Sequence, residues 1–184
     1  SEFLVFLDAD DRIEDGALNV MLNQIDGNTD VLYGDCQYFG DKEGIKKQQI
    51  PTKKDILYTN YIAVCCLCRT KTIQKFLFDE HLNRIGLEDW ELWIHLYSKN
   101  AIFQYLGATL FGIRVSPNSR TYEVANYKIP EAKKYIAQKH SDFLYEQFNE
   151  LYYENRSLKQ QIDYKIGKFA LSPYRYVKFK LLGK

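Results

Sequence analysis

Cysteine, charge of a single sign and long apolar runs are all scarce in this 184-residue chain. Lysine and arginine total 25 against 24 acids, a formal net charge of +1, which excludes the broadly basic surface that non-specific nucleic-acid binding requires. No apolar stretch approaches the roughly 20 residues needed to span a bilayer. Nor does any stretch pair a basic start with an apolar middle in the manner of a signal peptide. The four cysteines are Cys36, Cys65, Cys66 and Cys68, three of them within Val64-Cys65-Cys66-Leu67-Cys68. Adjacent cysteines with no second pair at finger spacing make a poor zinc site. They read instead as small buried residues of a strand, in a chain suited to a reducing, cytoplasmic setting.

What is present points to one globular domain with a sizeable core: 46% hydrophobic residues, including fifteen tyrosines and eleven phenylalanines. The most informative stretch is Phe3-Leu4-Val5-Phe6-Leu7-Asp8-Ala9-Asp10-Asp11. An apolar run ending in carboxylates reads as a buried strand, and acids just past a strand end sit where open α/β sheets bind ligands. Three carboxylates in four positions repel one another unless a cation lies between them, and Mg²⁺ or Mn²⁺ supplies that charge. An acidic cap on the following helix is the alternative, since Glu14 and Asp15 come next.

Onward, Asp15 to Ile25 sets Ala17, Leu18, Met21, Leu22 and Ile25 on one helical face. Asp30 to Tyr33 reads as a strand closed by Gly34-Asp35, and Gln37 to Phe39 as another before Gly40-Asp41. A polar loop over 41–52, a short helix at Lys53 to Thr59, an extended run at Tyr61 to Arg69 and a helix at Thr70 to Phe76 follow. The pattern is α/β.

A second acidic motif is Leu87-Glu88-Asp89-Trp90-Glu91-Leu92-Trp93-Ile94. Trp90, Trp93, Ile94 and Tyr97 share a helical face, with Glu88 and Asp89 at its N-terminal end. A carboxylate there caps a helix, or acts as a general base toward a hydroxyl. Strands return at Ala101 to Leu106 and Thr109 to Val115, leading into Arg114-Val115-Ser116-Pro117-Asn118-Ser119-Arg120. That loop is a turn, or a grip on phosphate through guanidinium and hydroxyl donors.

Taken in order, Phe6-Leu7-Asp8-Ala9-Asp10-Asp11, Leu87 to Trp93 and Ile113 to Ser119 resemble the motifs of glycosyltransferase family 2. Val31 to Asp35 and Phe78-Asp79-Glu80 are similar too, so the resemblance runs from Ser1 to about Ser119. It implies a GT-A fold: a mixed, mainly parallel sheet with flanking helices, occupying residues 1–120. It further implies an inverting glycosyltransferase moving a sugar from a nucleotide diphosphate, most readily UDP, to a hydroxyl of a saccharide or lipid-linked acceptor. Bacterial surface polysaccharide synthesis is the implied setting.

Residue by residue, Asp8 and Asp10 match the metal motif for Mn²⁺ or Mg²⁺, with Asp8, Asp10 and Asp11 also at the nucleotide sugar. Arg114 and Ser116 match the diphosphate contacts, Asp89 the catalytic base, and Glu88 and Trp90 the acceptor side. Ser116 departs from the family, which often has a histidine there. The family's first strands would precede Ser1, so a C-terminal portion is expected, inactive by itself, with activity belonging to the parent protein. A haloacid dehalogenase-type phosphatase also opens on Asp-x-Asp, but Arg12 stands where threonine or valine is expected. A non-catalytic interaction module is the other alternative.

Residues 121–184 read as a helical extension. Thr121 to Lys139 is a helical candidate broken by Pro130. From Ser141 heptads appear, with Leu144, Leu151 and Leu158 at d and Phe148, Asn155 and Ile162 at a. A homodimeric coil over 141–165 is one expectation, and a helix packed on its own domain the other. In the tail 163–184, six cations alternate with aromatics against the single acid Asp163. That pattern suits the anionic inner face of the plasma membrane as a peripheral contact, with nucleic acid excluded as a partner.

Overall fold

A computed structural model describes residues 1–117 and 128–181, with side chains as far as 165 apart from that of residue 84. It divides into two units, Ser1–Ser141 and Asp142–Lys184. In the first unit β1 (Phe3–Phe6), β2 (Arg12–Ile13), α1 (Ala17–Gln24), β3 (Val31–Gly40) and β4 (Gly44–Lys46) lead to β5 (Cys66–Arg69) and α2 (Thr70–Ile73). Then come α3 (Glu88–Ser98), β6 (Phe103–Val115) and α4 (Ile129–Lys139), with 3-10 turns at Asp55–Leu57 and Glu80–Arg84.

The sheet is mixed, in the order β1-β5-β3-β6-β2, with β4 on the outer half of β3. The expected α/β architecture is present, but the sheet is less parallel than expected. Among the described residues only β3 and β6 pair in parallel, because β5 runs back between β1 and β3. Strands β1, β3 and β6 nevertheless point the same way.

The two short strands expected on either side of Gly34 form one strand of 10 residues, and those around Gly107 form one of 13. Neither glycine is a chain-reversing turn. Each serves an irregularity in register: Tyr33 pairs with Tyr105, Asp35 with Thr109 and Cys36 with Phe111, so β6 carries extra residues. Gly107 takes φ 56 there. A Cβ on Gly34 would lie 2.5 Å from the Ala108 carbonyl oxygen and 2.6 Å from a Leu110 methyl. Gly34→Ala should therefore cost about 3 kcal/mol, read from the denaturant midpoint, because backbone cannot yield as a side-chain tip can.

The core gathers Ala17, Met21, Leu32, Cys36, Cys65, Leu67, Leu110 and Phe111. All four cysteines are buried and free, as read from the sequence. Burial pushes the Cys36 thiol up to about 11 and that of Cys68 up to about 12, so both stay protonated at neutral pH. Other expectations shift. Strand β1 is half-buried rather than buried, and α1 buries Ala17 and Met21 but exposes Leu18 and Leu22. The helix expected at 53–59 is a 3-10 turn, and the 61–69 run is strand only over β5. Pro130 occupies the first turn of α4, where its missing N–H costs nothing, and residues 121–127 of the expected helical candidate lie outside the described residues.

The second unit is the body of one long helix, α5 (Ser141–Leu181). Of its heptad positions Phe148, Leu158 and Ile162 are exposed, while Leu144 and Leu151 are half-buried. Residues 118–127 and the side chains of the basic tail beyond 165 lie outside the described residues. No helix among those described is long and apolar enough to cross a membrane.

Candidate functional site

Strand β1 runs into a tight turn closed by a hydrogen bond from the Asp11 N–H to the Asp8 carbonyl at 3.1 Å. The chain then enters β2, which pairs with Gly112 and Phe111 of β6. The turn holds Asp8 and Asp10 exposed and draws Asp11 inward. One Asp11 carboxylate oxygen accepts the Arg114 N–H at 2.9 Å, and the other faces the Cys65 thiol at 3.5 Å. Burial raises the Asp11 pKa against these bonds. Asp11 thus pins the acidic turn to the end of β6 and the start of β5.

Asp89 stands in the first turn of α3, just past Gly86 (φ 86) and Leu87 (φ 69). A left-handed leucine costs on the order of 1 kcal/mol, and strain of this kind clusters at functional sites. The Asp89 carboxylate accepts hydrogen bonds from the Asn60 amide and from the Trp90 N–H, both at 2.7 Å. Burial nonetheless pushes its pKa up to about 6, with the Glu88 charge adding to the rise. A carboxyl poised there can accept a proton near neutral pH.

Cys65 and Cys66 lie just before and at the start of β5, between the two acidic motifs in sequence. Both thiols are pushed up by burial; the charges of Asp11 and Asp8 reinforce this at Cys65, and that of Asp89 at Cys66. The loop after β1 and the end of β6 meet at the Asp11–Arg114 bond, which brings together Asp8, Asp10, Asp11 and Arg114, while Asp89 stands at the start of α3. Glu88 is half-buried beside Asp89, and Ser116 follows β6.

Trp90 does not join them as an open platform for an acceptor. It is 4% exposed and donates its indole N–H to the Ile56 carbonyl at 2.6 Å. Trp93 donates to Ile62 and Tyr97 to Pro51 in the same way, so the aromatic ridge of α3 fastens the 51–62 segment. That segment delivers Asn60 to Asp89. Asn60 has no sequence signature: a lone asparagine in a loop gives no sign of its partner 29 residues on.

The donor chemistry of the acidic turn fits a hard divalent cation. Asp8 and Asp10 offer carboxylate oxygens, and no group of three or more His, Cys, Asp or Glu able to hold a metal occurs among the described residues. Mg²⁺ and Mn²⁺ are held in this way, through one or two carboxylates, with water and phosphate oxygens completing the shell.

Neither a family model nor a curated protein matches the chain. Among solved structures it is similar to Staphylococcus aureus TarS 1–349 in complex with UDP, at 24% identity and a TM-score of 0.51. That match covers 81% of this chain and 48% of TarS 1–349. The likeness shows the fold. A second TarS 1–349 structure matches at 22% identity and a TM-score of 0.49, over 62% of this chain and 36% of the other. The chain thus spans at most about half the length of the structures it resembles.

Proposed function

We propose that this chain carries the donor-handling and proton-accepting corner of a glycosyltransferase. The substrates are a UDP-sugar and a hydroxyl of a saccharide or lipid-linked acceptor. The observation that carries the reading is the Asp8-Ala9-Asp10-Asp11 turn, tied through Asp11 to the Arg114 N–H at the end of β6, together with the buried Asp89 carboxyl opening α3, raised to about 6. The fold shared with a protein solved in complex with UDP supports it.

Asp89, held in place by Asn60, takes the proton of the acceptor hydroxyl as that oxygen attacks the anomeric carbon. The bond from that carbon to the diphosphate oxygen breaks in the same step, and the configuration inverts. A single carboxylate suffices for such a direct displacement; a double displacement would need a nucleophile as well. Arg114 and Ser116 face the leaving diphosphate. Mg²⁺ or Mn²⁺ held by Asp8 and Asp10 would offset the negative charge that the diphosphate gains on leaving.

The test is release of UDP from a panel of UDP-sugars by the full-length protein with Mn²⁺, in wild type and Asp10→Asn. A loss of about 10²-fold or more is expected in the variant, as for removal of other charge-stabilising groups. Undiminished turnover in Asp10→Asn would sink the metal assignment.

We also propose that two copies pair through the exposed positions Phe148, Leu158 and Ile162 of α5. Sedimentation should then give a dimer that Leu158→Lys converts to monomer; a wild-type monomer at micromolar concentration would refute the pairing.

A further inference from the structure

Arg12 is held in a constrained pose. Its guanidinium lies 4.3 Å from the centroid of the Phe39 ring, and its Nε donates to Glu14 Oε1 at 3.0 Å. It crosses β6 where Gly112 leaves room: a Cβ there would meet Arg12 Nε at 2.7 Å and Glu14 Oε1 at 2.8 Å. A long side chain half open to solvent would ordinarily sample many rotamers. Here a ring, a carboxylate and a missing side chain fix it in advance.

The same ring carries a second cation. Arg114 lies 4.9 Å from the Phe39 centroid, and its backbone N–H holds Asp11 of the acidic turn. Phe39 and Arg114 are register partners in the parallel β3–β6 pair, as Arg12 and Gly112 are in β2–β6. Two guanidiniums on one aromatic ring repel each other, and Glu14 offsets only one of them through Nε. The terminal nitrogens of Arg12 still offer donors in the fork geometry that matches phosphate oxygens.

We infer that Arg12, Phe39 and Arg114 form a two-arginine clamp for a diphosphate, with Phe39 setting the spacing and Gly112 and Glu14 pre-aligning Arg12. The inference rests on the proposed function in taking that diphosphate to be the nucleotide sugar's. It adds Arg12 and Phe39 as binding and positioning residues that the motif resemblance does not assign. Because the clamp is formed before the ligand arrives, little ordering remains to oppose binding.

The test is calorimetric titration of the full-length protein with UDP, uridine and inorganic pyrophosphate, in the presence of Mn²⁺. Arg12→Ala should weaken UDP and pyrophosphate binding about tenfold or more while uridine binding stays as in wild type. Arg12→Lys, which keeps the charge but loses the planar fork, should fail to restore it. Phe39→Leu, which keeps both charges and most of the apolar volume, should weaken both anions several-fold with an unchanged melting temperature. UDP and pyrophosphate affinities within twofold of wild type in Arg12→Ala would overturn the clamp. Pyrophosphate binding that depends on Arg12, in a protein that ignores UDP, would support the clamp and overturn the nucleotide-sugar reading. Binding of neither anion by wild type would overturn both.

Discussion

Replacing Asp89 by asparagine should lower sugar transfer by the full-length protein about 10³-fold, within the range that a positioned general base contributes. The fold should survive. Asparagine keeps one acceptor oxygen for the Asn60 amide or the Trp90 N–H, both now at 2.7 Å, turns its NH2 toward the other donor, and removes a charge that burial disfavours. The sign of that second effect follows from linkage. A carboxyl raised to about 6 gives up its proton less readily in the folded chain than in the unfolded one. Its ionised form is therefore a cost to stability above that pH, relieved as the pH falls through it. At pH 7 the relieved charge and the one lost hydrogen bond oppose each other, so the variant should melt close to the wild-type temperature. The wild-type rate should rise with pH up to about 6 and then level off, and the variant should lose that rising limb. Transfer at the wild-type rate, or a rising limb that persists in the variant, would remove Asp89 from the role of base.

The acidic turn, Asp89 and Arg114 were legible in the sequence because each follows or opens an element whose apolar pattern is strong. The apolar strand before Asp8 and the aromatic ridge behind Asp89 mark the element ends at which these side chains stand. What was not legible depends on pairing across the sheet. Gly34 reads locally as a turn; only its contact with the Ala108 carbonyl, across β6, makes it part of a continuous strand. Arg12 reads as an ordinary polar residue until β2 lands on Gly112 and places it over Phe39. Trp90 carried two readings because a large aromatic beside an acid suits either a platform or a packed ridge. The bond to the Ile56 carbonyl decides for the ridge. The reversed direction of β5 was equally hidden, since a buried four-residue strand looks alike in either direction.

Glu91→Ala should destabilise the first unit by about 3–5 kcal/mol, the cost of removing one partner from a buried charged network. The glutamate is fully buried on α3, between Trp90 and Leu92, where an apolar residue would be expected. One carboxylate oxygen meets both the Lys139 ammonium at 2.8 Å and the His140 ring at 2.7 Å, at the C-terminal end of α4. The other oxygen has no hydrogen-bond partner among the described residues, so the network is costly as well as cohesive. Burial alone would raise the Glu91 pKa, but the bonds from His140 and Lys139 hold it below the ordinary range. Lys139 also reaches Asp79 at 2.6 Å, and with Tyr135 it holds that carboxyl down to about 2, again against burial. Both acids therefore contribute stability that is fully present above about pH 4.5 and lost at lower pH, that of Asp79 as the pH falls through about 2. His95, whose ring lies 5.5 Å from that of His140, is lowered by burial, so it adds a loss that begins as the pH drops below 6.5. Denaturant titrations across this range should show wild-type stability falling in two stages and Glu91→Ala losing most of the more acidic one. Glu91→Gln, which keeps an acceptor for Lys139 and His140, should cost less than the alanine variant. An alanine variant within about 0.5 kcal/mol of wild type at pH 7 would mean that the α3–α4 contact draws its stability from apolar packing alone.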